Sequence, residues 1–248
     1  CHGDEELGFV TKIGSNALLR ADRRGVDRVI FSSLVEEVVA LLDRGCEVTI
    51  VSSGAVALGR SILGEQGRGH RDIPSLQALA AVGQPELLRL YSEEFRHYDR
   101  KVAQVLLSRQ DLDDRGRYLN ARRALERMRT LGVVPIINEN DTVATEELRF
   151  GDNDQLAAMA CGVVGADVLV ILSDVDGVFD VVIDARGERQ FTSRIREMAA
   201  LDEALLRVAG PSVSGPPINA IGSPNSPRTS GCPLSSSCTA RGIASPTP

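Results

Sequence analysis

Short apolar runs alternate with longer amphipathic segments between residues 7 and 172. Five runs rich in Val, Ile and Leu predict strands at Leu7–Ile13, Val48–Val51, Val102–Leu107, Val133–Ile137 and Val168–Leu172. The segments between them place apolar residues at helical spacing, which predicts helices at Val26–Arg44, after Ala55, at Ser75–Tyr98, at Tyr118–Leu131 and from Asn153 onward. Strands that alternate with helices in this order predict an α/β fold with a mostly parallel sheet and helices on both faces.

Glycine and proline refine two of the helix boundaries. Gly45 follows the last apolar residues of the first amphipathic segment, and glycine is common just beyond the end of a helix. Pro85 lies inside the segment Ser75–Tyr98, and proline suits the first turn of a helix. That segment is therefore predicted to be interrupted near Gly83, with a new helix beginning at Pro85.

The segment from Val133 to Ala158 contains two clusters of polar side chains at the ends of predicted elements. Asn138–Asp141 directly follow the fourth strand, and Gly151–Asp154 surround the start of the last helix. Helix capping explains one or two Asp or Asn residues at such a start, but it does not explain two clusters about ten residues apart. Ligands of open α/β sheets bind beyond the carboxyl ends of the strands. We therefore predict a ligand site here.

Other predicted strands also end in small or polar residues. Gly14 lets the backbone approach an anion closely, and Lys12 can place its ammonium group over the same turn. For Lys12 taken alone, a solvated charge at the rim is as good an interpretation as a phosphate contact. Ser53 lies where the second strand passes into a helix, so it is either an ordinary N-cap or part of a turn that aims helix N–H groups at an anion. The fifth strand ends in Ser173-Asp174.

Composition narrows the classes of function. The net charge is -6 and the pI is near 5.2, and no basic patch typical of nucleic-acid binding is present in the sequence. No long apolar run predicts a membrane span or a signal peptide, so a soluble, cytoplasmic protein is expected. The five cysteines lack the spacing of metal ligands, and no metal site is predicted. The glycine-containing turns match neither the P-loop nor the dinucleotide-binding fingerprint.

The two ends of the sequence differ from its middle. The chain begins with Cys1 rather than Met, which predicts a fragment or a processed product. Eight of the eleven prolines lie after Ala209, in a serine-rich background without Asp or Glu. Such a composition cannot bury enough apolar surface to offset the entropy of ordering, so residues 210–248 are predicted to be a mostly disordered tail.

Eight short motifs follow one another along the chain. They are KIGS (12–15), VSSGAVALG (51–59), LAAVGQPELL (79–88), QVLLSRQDL (104–112), RYLNAR (117–122), VPIINENDTVAT (134–145), FGDND (150–154) and LSDVDG (172–177). Together they resemble the glutamate 5-kinases of the amino acid kinase family, over a stretch from about Leu7 to about Ala209. The resemblance implies a three-layer α/β/α sandwich with a mostly parallel central sheet, and it assigns residues 1–209 to the kinase domain.

The resemblance also implies a reaction, in which the γ-phosphoryl group of ATP is transferred to the side-chain carboxylate of L-glutamate as the first step of proline biosynthesis. Mg²⁺ would be bound through the nucleotide phosphates, proline would be a feedback inhibitor, and the protein would form dimers or tetramers. By motif match the implied residues are Lys12 and Asp154 for catalysis, Ser53, Asn138, Asp141 and Asn153 for glutamate, and Lys12, Gly14, Ser173 and Asp174 for ATP. In this assignment Asp141 pairs with the α-ammonium group, Ser53 and Asn153 hold carboxylate oxygens, and Asp154 orients the catalytic lysines.

The sequence departs from the family pattern in two places. Residues 179–186 lack the proline of the family's nucleotide loop. After Gly215 the family's glycine-rich loop and second catalytic lysine are replaced by Pro216–Asn219, and no lysine follows Arg207. These differences predict a truncated or frameshifted nucleotide lobe. The alternative function is therefore a catalytically impaired fragment that binds glutamate or proline, and a kinase segment of a bifunctional enzyme is a further alternative.

Overall fold

The computed structural model describes residues 7–20, 25–64, 69, 72–143, 153–172, 178–183, 189–195 and 239–240. The predicted nucleotide contacts Ser173 and Asp174, and nearly all of the predicted tail 210–248, lie outside these residues. The chain divides into two compact units, the first formed by residues 1–173 and 234–243 and the second by residues 174–233 and 244–248. Every predicted site residue except Asp174 belongs to the first unit.

Strands and helices alternate along the described residues. The helices are α1 (Ser15–Leu18), α2 (Arg28–Asp43), α3 (Ala55–Leu63), α4 (Ile73–Arg96), α5 (Arg109–Asp113), α6 (Arg115–Thr130) and α7 (Asn153–Val164), and a turn of 3-10 helix covers Asp141–Val143. The strands are β1 (Gly8–Ile13), β2 (Glu47–Ser52), β3 (Lys101–Leu107), β4 (Val133–Glu139), β5 (Val168–Leu172), β6 (Val178–Ile183), β7 (Arg189–Ile195) and β8 (Thr239–Ala240). The first five strands confirm the predicted ones, with no end displaced by more than two residues.

The strands of the first unit form one parallel sheet in the order β3-β4-β2-β1-β5-β8. β1 lies between β2 and β5, so that Lys12 is opposite Val51 on one side and Ile171 on the other. Parallel neighbours need crossover connections, which the helices between the strands supply. The predicted mostly parallel sheet is confirmed.

Alternate residues of the strands contribute to two separate hydrophobic cores. Ile50 and Ile136 pack on one face with side chains of α2, α3 and α4. Their neighbours Val51 and Ile137 pack on the other face with side chains of α5, α6 and α7. Because successive side chains of a strand point to opposite faces, a sheet that is apolar on both sides needs a helix layer on each. This arrangement confirms the expected three layers.

Helix α4 corrects one prediction, because it continues through Pro85 instead of being interrupted there. A proline inside a helix removes one backbone hydrogen bond and costs about 3 kcal/mol. Buried side chains on both sides of the proline, including Leu79 before it and Leu87 after it, hold the helix in one piece. The carbonyl of Ala81, which loses its partner, belongs to an exposed residue. Although α4 has 24 residues, neither it nor any other described helix is long and apolar enough to cross a membrane.

Two glycines let α3 and α4 touch through their backbones. A Cβ atom built on Gly83 would lie 1.8 Å from the carbonyl oxygen of Ala55, and one built on Gly59 would lie 2.0 Å from the carbonyl oxygen of Leu79. Both distances are far inside van der Waals contact, so only glycine fits without separating the helices. As a result, α4 is held against the turn where β2 passes into α3.

The described residues of the second unit are those of β6 and β7. The two strands pair in antiparallel fashion, with an irregular register between Phe179 and Val181.

Candidate active site

Most of the predicted site residues lie at the carboxyl ends of neighbouring strands. Lys12 is next to the end of β1, Ser53 follows β2, and Asn138 is near the end of β4. Strand β4 is longer than predicted, so Asn138 is a strand residue rather than the first residue of a loop. The amino terminus of α7 adds Asn153 and Asp154 to the same edge of the sheet.

Lys12 and Asp154 form an ion pair. The Nζ atom of Lys12 lies 2.7 Å from Oδ1 of Asp154, and the lysine side chain is only 12% exposed whereas the aspartate side chain is 57% exposed. The low exposure of its side chain argues against the interpretation of Lys12 as a solvated charge at the rim of the sheet. Asp154 lies in the first turn of α7, where a carboxylate also interacts favourably with the helix dipole.

Gly14 leaves space beside the ammonium group of Lys12. Its backbone φ of -71° is one that any residue adopts, so conformation does not require glycine here. A Cβ atom at this position would lie 3.4 Å from Nζ of Lys12 and 3.5 Å from the carbonyl oxygen of Leu172. The missing side chain therefore leaves the partly exposed ammonium group open to approach, which suits an anionic phosphoryl group.

Ser53 is not the N-cap of the following helix. That position belongs to Gly54, whose φ of 110° lies in the left-handed region that favours glycine, and glycine has no side chain with which to cap the helix. The backbone N–H of Ser53 donates to the carbonyl of Ile13, and its Oγ accepts a hydrogen bond from Asn153 at 2.7 Å. The hydroxyl hydrogen of Ser53 is thus not used in this bond. The N-cap residue Gly54 likewise provides no side-chain acceptor for the first N–H groups of α3.

The amide group of buried Asn153 connects three parts of the site. Its Nδ2 shares two hydrogens among three acceptors, which are the carbonyl of Ser52 at 3.1 Å, Oγ of Ser53 at 2.7 Å and Oδ1 of Asn138 at 3.1 Å. Its Oδ1 is buried and has no hydrogen-bond partner among the described residues. The carbonyl of Ser52 can only accept, so it fixes which way the amide points. The atom that Asn153 leaves for a ligand is therefore an acceptor.

Both the oxygen and the nitrogen of the Asn138 side-chain amide make hydrogen bonds. Its Oδ1 accepts from the backbone N–H of Glu139 at 2.9 Å as well as from Asn153, and its Nδ2 donates to Oε1 of Gln84 at 2.7 Å. Gln84, on α4, is absent from the predicted site residues. Its contact with Asn138 joins residues 54 positions apart, so neither periodicity nor capping indicates it, although Gln84 lies within the motif LAAVGQPELL (79–88).

Asp141 is buried beside a second acidic residue. It begins the 3-10 turn after β4, and burial, followed by the negative charge of Glu139, raises the pKa of Asp141 to about 7. Together with Gln84 and Glu139 it lines a cavity of about 280 Å³ between α4, β3 and the end of β4. Near neutral pH its carboxyl group is close to half ionised, so a nearby cation would shift it to the charged form.

The end of β2 is anchored to α4 by a buried hydroxyl pair. Oγ of Ser52 lies 3.0 Å from Oη of Tyr91, whose ring packs edge-on against Phe31 with the ring centroids 4.9 Å apart. Burial raises the pKa of Tyr91, so this group remains a neutral hydrogen-bonding partner. The contact holds the carbonyl of Ser52 in the position where it receives the Asn153 amide.

The fold and this site define a class of protein. The chain belongs to the amino acid kinase family, whose family model matches residues 8–204. The relatives it matches are bacterial proteins named glutamate 5-kinase. Those of Stutzerimonas stutzeri (strain A1501) and Pseudomonas syringae pv. syringae (strain B728a) are each 51% identical over 202 residues, which is 82% of this chain and 53% of the relative. The relative from Alcanivorax borkumensis is 50% identical over the same number of residues. The chain thus spans about half the length of these curated relatives.

Proposed function

We propose that this protein transfers the γ-phosphoryl group of ATP to the side-chain carboxylate of L-glutamate, giving L-glutamyl 5-phosphate for proline biosynthesis. The observation that carries the proposal is the largely buried Lys12 side chain, 12% exposed and paired with Asp154, at the same sheet edge as the Ser53, Asn138 and Asn153 cluster. The similarity to glutamate 5-kinases supports the same assignment.

The polar cluster offers complementary partners to a zwitterionic, acidic amino acid. The carboxyl group of Asp141 and Oδ1 of Asn153, which has no partner among the described residues, are acceptors for the α-ammonium group. The hydroxyl of Ser53 and the uncapped N–H groups at the start of α3 are donors for carboxylate oxygens. This differs from the role expected for Asn153 from sequence, because its N–H groups are used within the protein.

Lys12 is suited to neutralise charge between two anions. Transfer between a carboxylate and a triphosphate depends mainly on positioning and on compensation of negative charge. The ammonium group of Lys12 faces the space left by Gly14, and Asp154 holds it there. ATP, with Mg²⁺ bound through its phosphates, would supply the phosphoryl group, and Lys12 with Gly14 would receive part of the phosphate chain.

The wider setting belongs to the same proposal. We expect Ser173 and Asp174 to contact the nucleotide, and we expect a cytoplasmic homo-oligomer, either a dimer or a tetramer, in which proline acts as a feedback inhibitor. Nucleic acids and membranes are not expected partners. These statements are supported by the similarity to glutamate 5-kinases alone.

Trapping of the acyl phosphate tests the proposal. The protein is incubated with ATP, Mg²⁺, L-glutamate and hydroxylamine, and the glutamyl hydroxamate is measured as its coloured iron complex. A version with a restored glycine-rich loop and second lysine after Gly215 is measured in parallel. Hydroxamate that requires both ATP and L-glutamate supports the kinase. Glutamate-dependent thermal stabilisation without hydroxamate in either version would support the binding-only fragment instead.

A further inference from the structure

Gln84 lies on α4, where it contacts Asn138 of the candidate site. Its neighbour Gly83 contacts the backbone of Ala55, two residues after Ser53. This backbone contact leaves α4 little freedom to move relative to the turn after β2. The side chain of Gln84 therefore starts from a fixed position beside the cluster.

A chain of amide hydrogen bonds runs from Gln84 to the proposed substrate contact. Oε1 of Gln84 accepts from Nδ2 of Asn138, and Oδ1 of Asn138 accepts from Nδ2 of Asn153. The backbone N–H of Glu139 also donates to Oδ1 of Asn138. If the Asn138 amide were reversed, its Nδ2 would face both the Asn153 Nδ2 and the Glu139 N–H, and two donor-to-donor contacts would result.

The orientation of Asn138 reinforces the one that the Ser52 carbonyl sets for the Asn153 amide. With Asn138 as observed, all the contacts of the Asn153 amide are made by Nδ2, and its buried Oδ1 is left without a partner among the residues that the structure describes. A buried amide oxygen without a partner is costly, which is typical of an atom kept for a ligand. Gln84 supplies the acceptor that favours this arrangement.

We propose that Gln84 is a positioning residue for the amino acid substrate, acting through Asn138 on Asn153. This inference rests on the proposed function, since it concerns how the same site holds glutamate. Gln84 also lines the cavity that contains Asp141, and its hydrogen bond to Asn138 links it indirectly to Asn153. The role is independent of Lys12 and Asp154, with which Gln84 shares no hydrogen bond in the described part of the chain.

Two substitutions at this position separate positioning from packing. Gln84→Met keeps a side chain of similar length but removes the acceptor, whereas Gln84→Glu retains an acceptor for Nδ2 of Asn138. L-glutamate affinity is measured by calorimetry, and the side-chain amide signals of Asn138 and Asn153 are followed by ¹⁵N NMR in each variant. We expect Gln84→Met to weaken glutamate binding about tenfold, as loss of one buried hydrogen-bond partner does. Gln84→Glu should stay within about threefold of the parent.

The NMR signals keep this inference distinct from the proposed function. If the parent binds no glutamate, the proposed function fails, but a shift of the Asn153 amide signals in Gln84→Met would still support the positioning chain. Unchanged Asn153 signals in Gln84→Met would overturn the inference, whatever happens to affinity. Equal loss of affinity in Gln84→Met and Gln84→Glu would also overturn it, because the acceptor would then not matter.

Discussion

Replacing Gly83 by alanine tests the close contact that its backbone makes with the carbonyl of Ala55, where α4 packs on α3. The new Cβ atom would lie 1.8 Å from the carbonyl oxygen of Ala55, and the helices must separate locally by about 1.2 Å to bring that distance to the 3.0 Å that real Cβ atoms respect. Overpacking of this kind costs about 1–3 kcal/mol. The better helix propensity of alanine returns about 1 kcal/mol. We therefore expect a net loss of roughly 1–2 kcal/mol, since the obstacle is backbone rather than a flexible side chain.

The assay is thermal unfolding of Gly83→Ala, with Gly162→Ala measured in parallel as the control. Gly162 lies in α7, and a Cβ atom there meets no described atom within 4 Å, so alanine should gain the helix propensity without a clash. For a chain of this size each kcal/mol shifts Tm by roughly 2–4 °C. We expect Tm to fall by roughly 2–8 °C in Gly83→Ala and to rise by a few degrees in Gly162→Ala. Equal stabilisation of both variants would refute the close packing of α3 on α4.

Four further predictions concern charge and capping. Lys12→Met should lower hydroxamate formation by at least about a hundredfold. The control is Lys101→Met, which replaces the chain's other lysine, exposed at the start of β3, and it should leave hydroxamate formation unchanged. Glutamate binding should tighten as pH rises through about 7, because Asp141 then ionises, and Asp141→Asn should remove this dependence in calorimetric titrations between pH 6 and 8. In the unfolded chain the carboxyl group of Asp141 loses its proton near the ordinary pKa of 3.8, so the free energy of unfolding falls as pH rises from about 4 towards 7. At pH 8, Asp141→Asn should therefore be more stable than the parent by up to roughly 4 kcal/mol, as measured by urea unfolding. Ser108→Ala should lower the free energy of unfolding by about 1 kcal/mol in the same assay, because Ser108 and Asp111 form a capping box at the start of α5. An unchanged free energy of unfolding would contradict this capping role.

The sheet and most of the helices could be predicted because their signals are local. Each of the five predicted strands is a short run rich in Val, Ile and Leu, and this pattern fixes its position without knowledge of its neighbours. The short helix α5 could have been predicted as well, because Ser108 and Asp111 have the spacing of a capping box. The expected break at Pro85 is wrong because packing on both sides of the proline outweighs a local preference, and such packing is invisible in one segment of sequence.

The candidate site could be predicted only in part, for the same reason. Lys12, Ser53, Asn138, Asn153 and Asp154 all adjoin strand or helix ends, and the structure places them at one edge of the sheet. Which atom each side chain offers could not be predicted, because that depends on hydrogen bonds between residues far apart in sequence. The contact from Asn153 to the carbonyl of Ser52 spans 101 positions, and because a carbonyl can only accept, it requires the amide to donate there.

Calorimetric titration with L-glutamate tests the central claim most directly. Saturable binding is predicted for the parent, and Asn153→Ala should weaken it at least about tenfold, because the buried Oδ1 that we assign to the ammonium group is lost. Gly162→Ala, on the same helix but away from the site, should bind as the parent does. Failure of the parent to bind L-glutamate, or equal affinity in Asn153→Ala, would contradict the assignment of this sheet edge as the glutamate site.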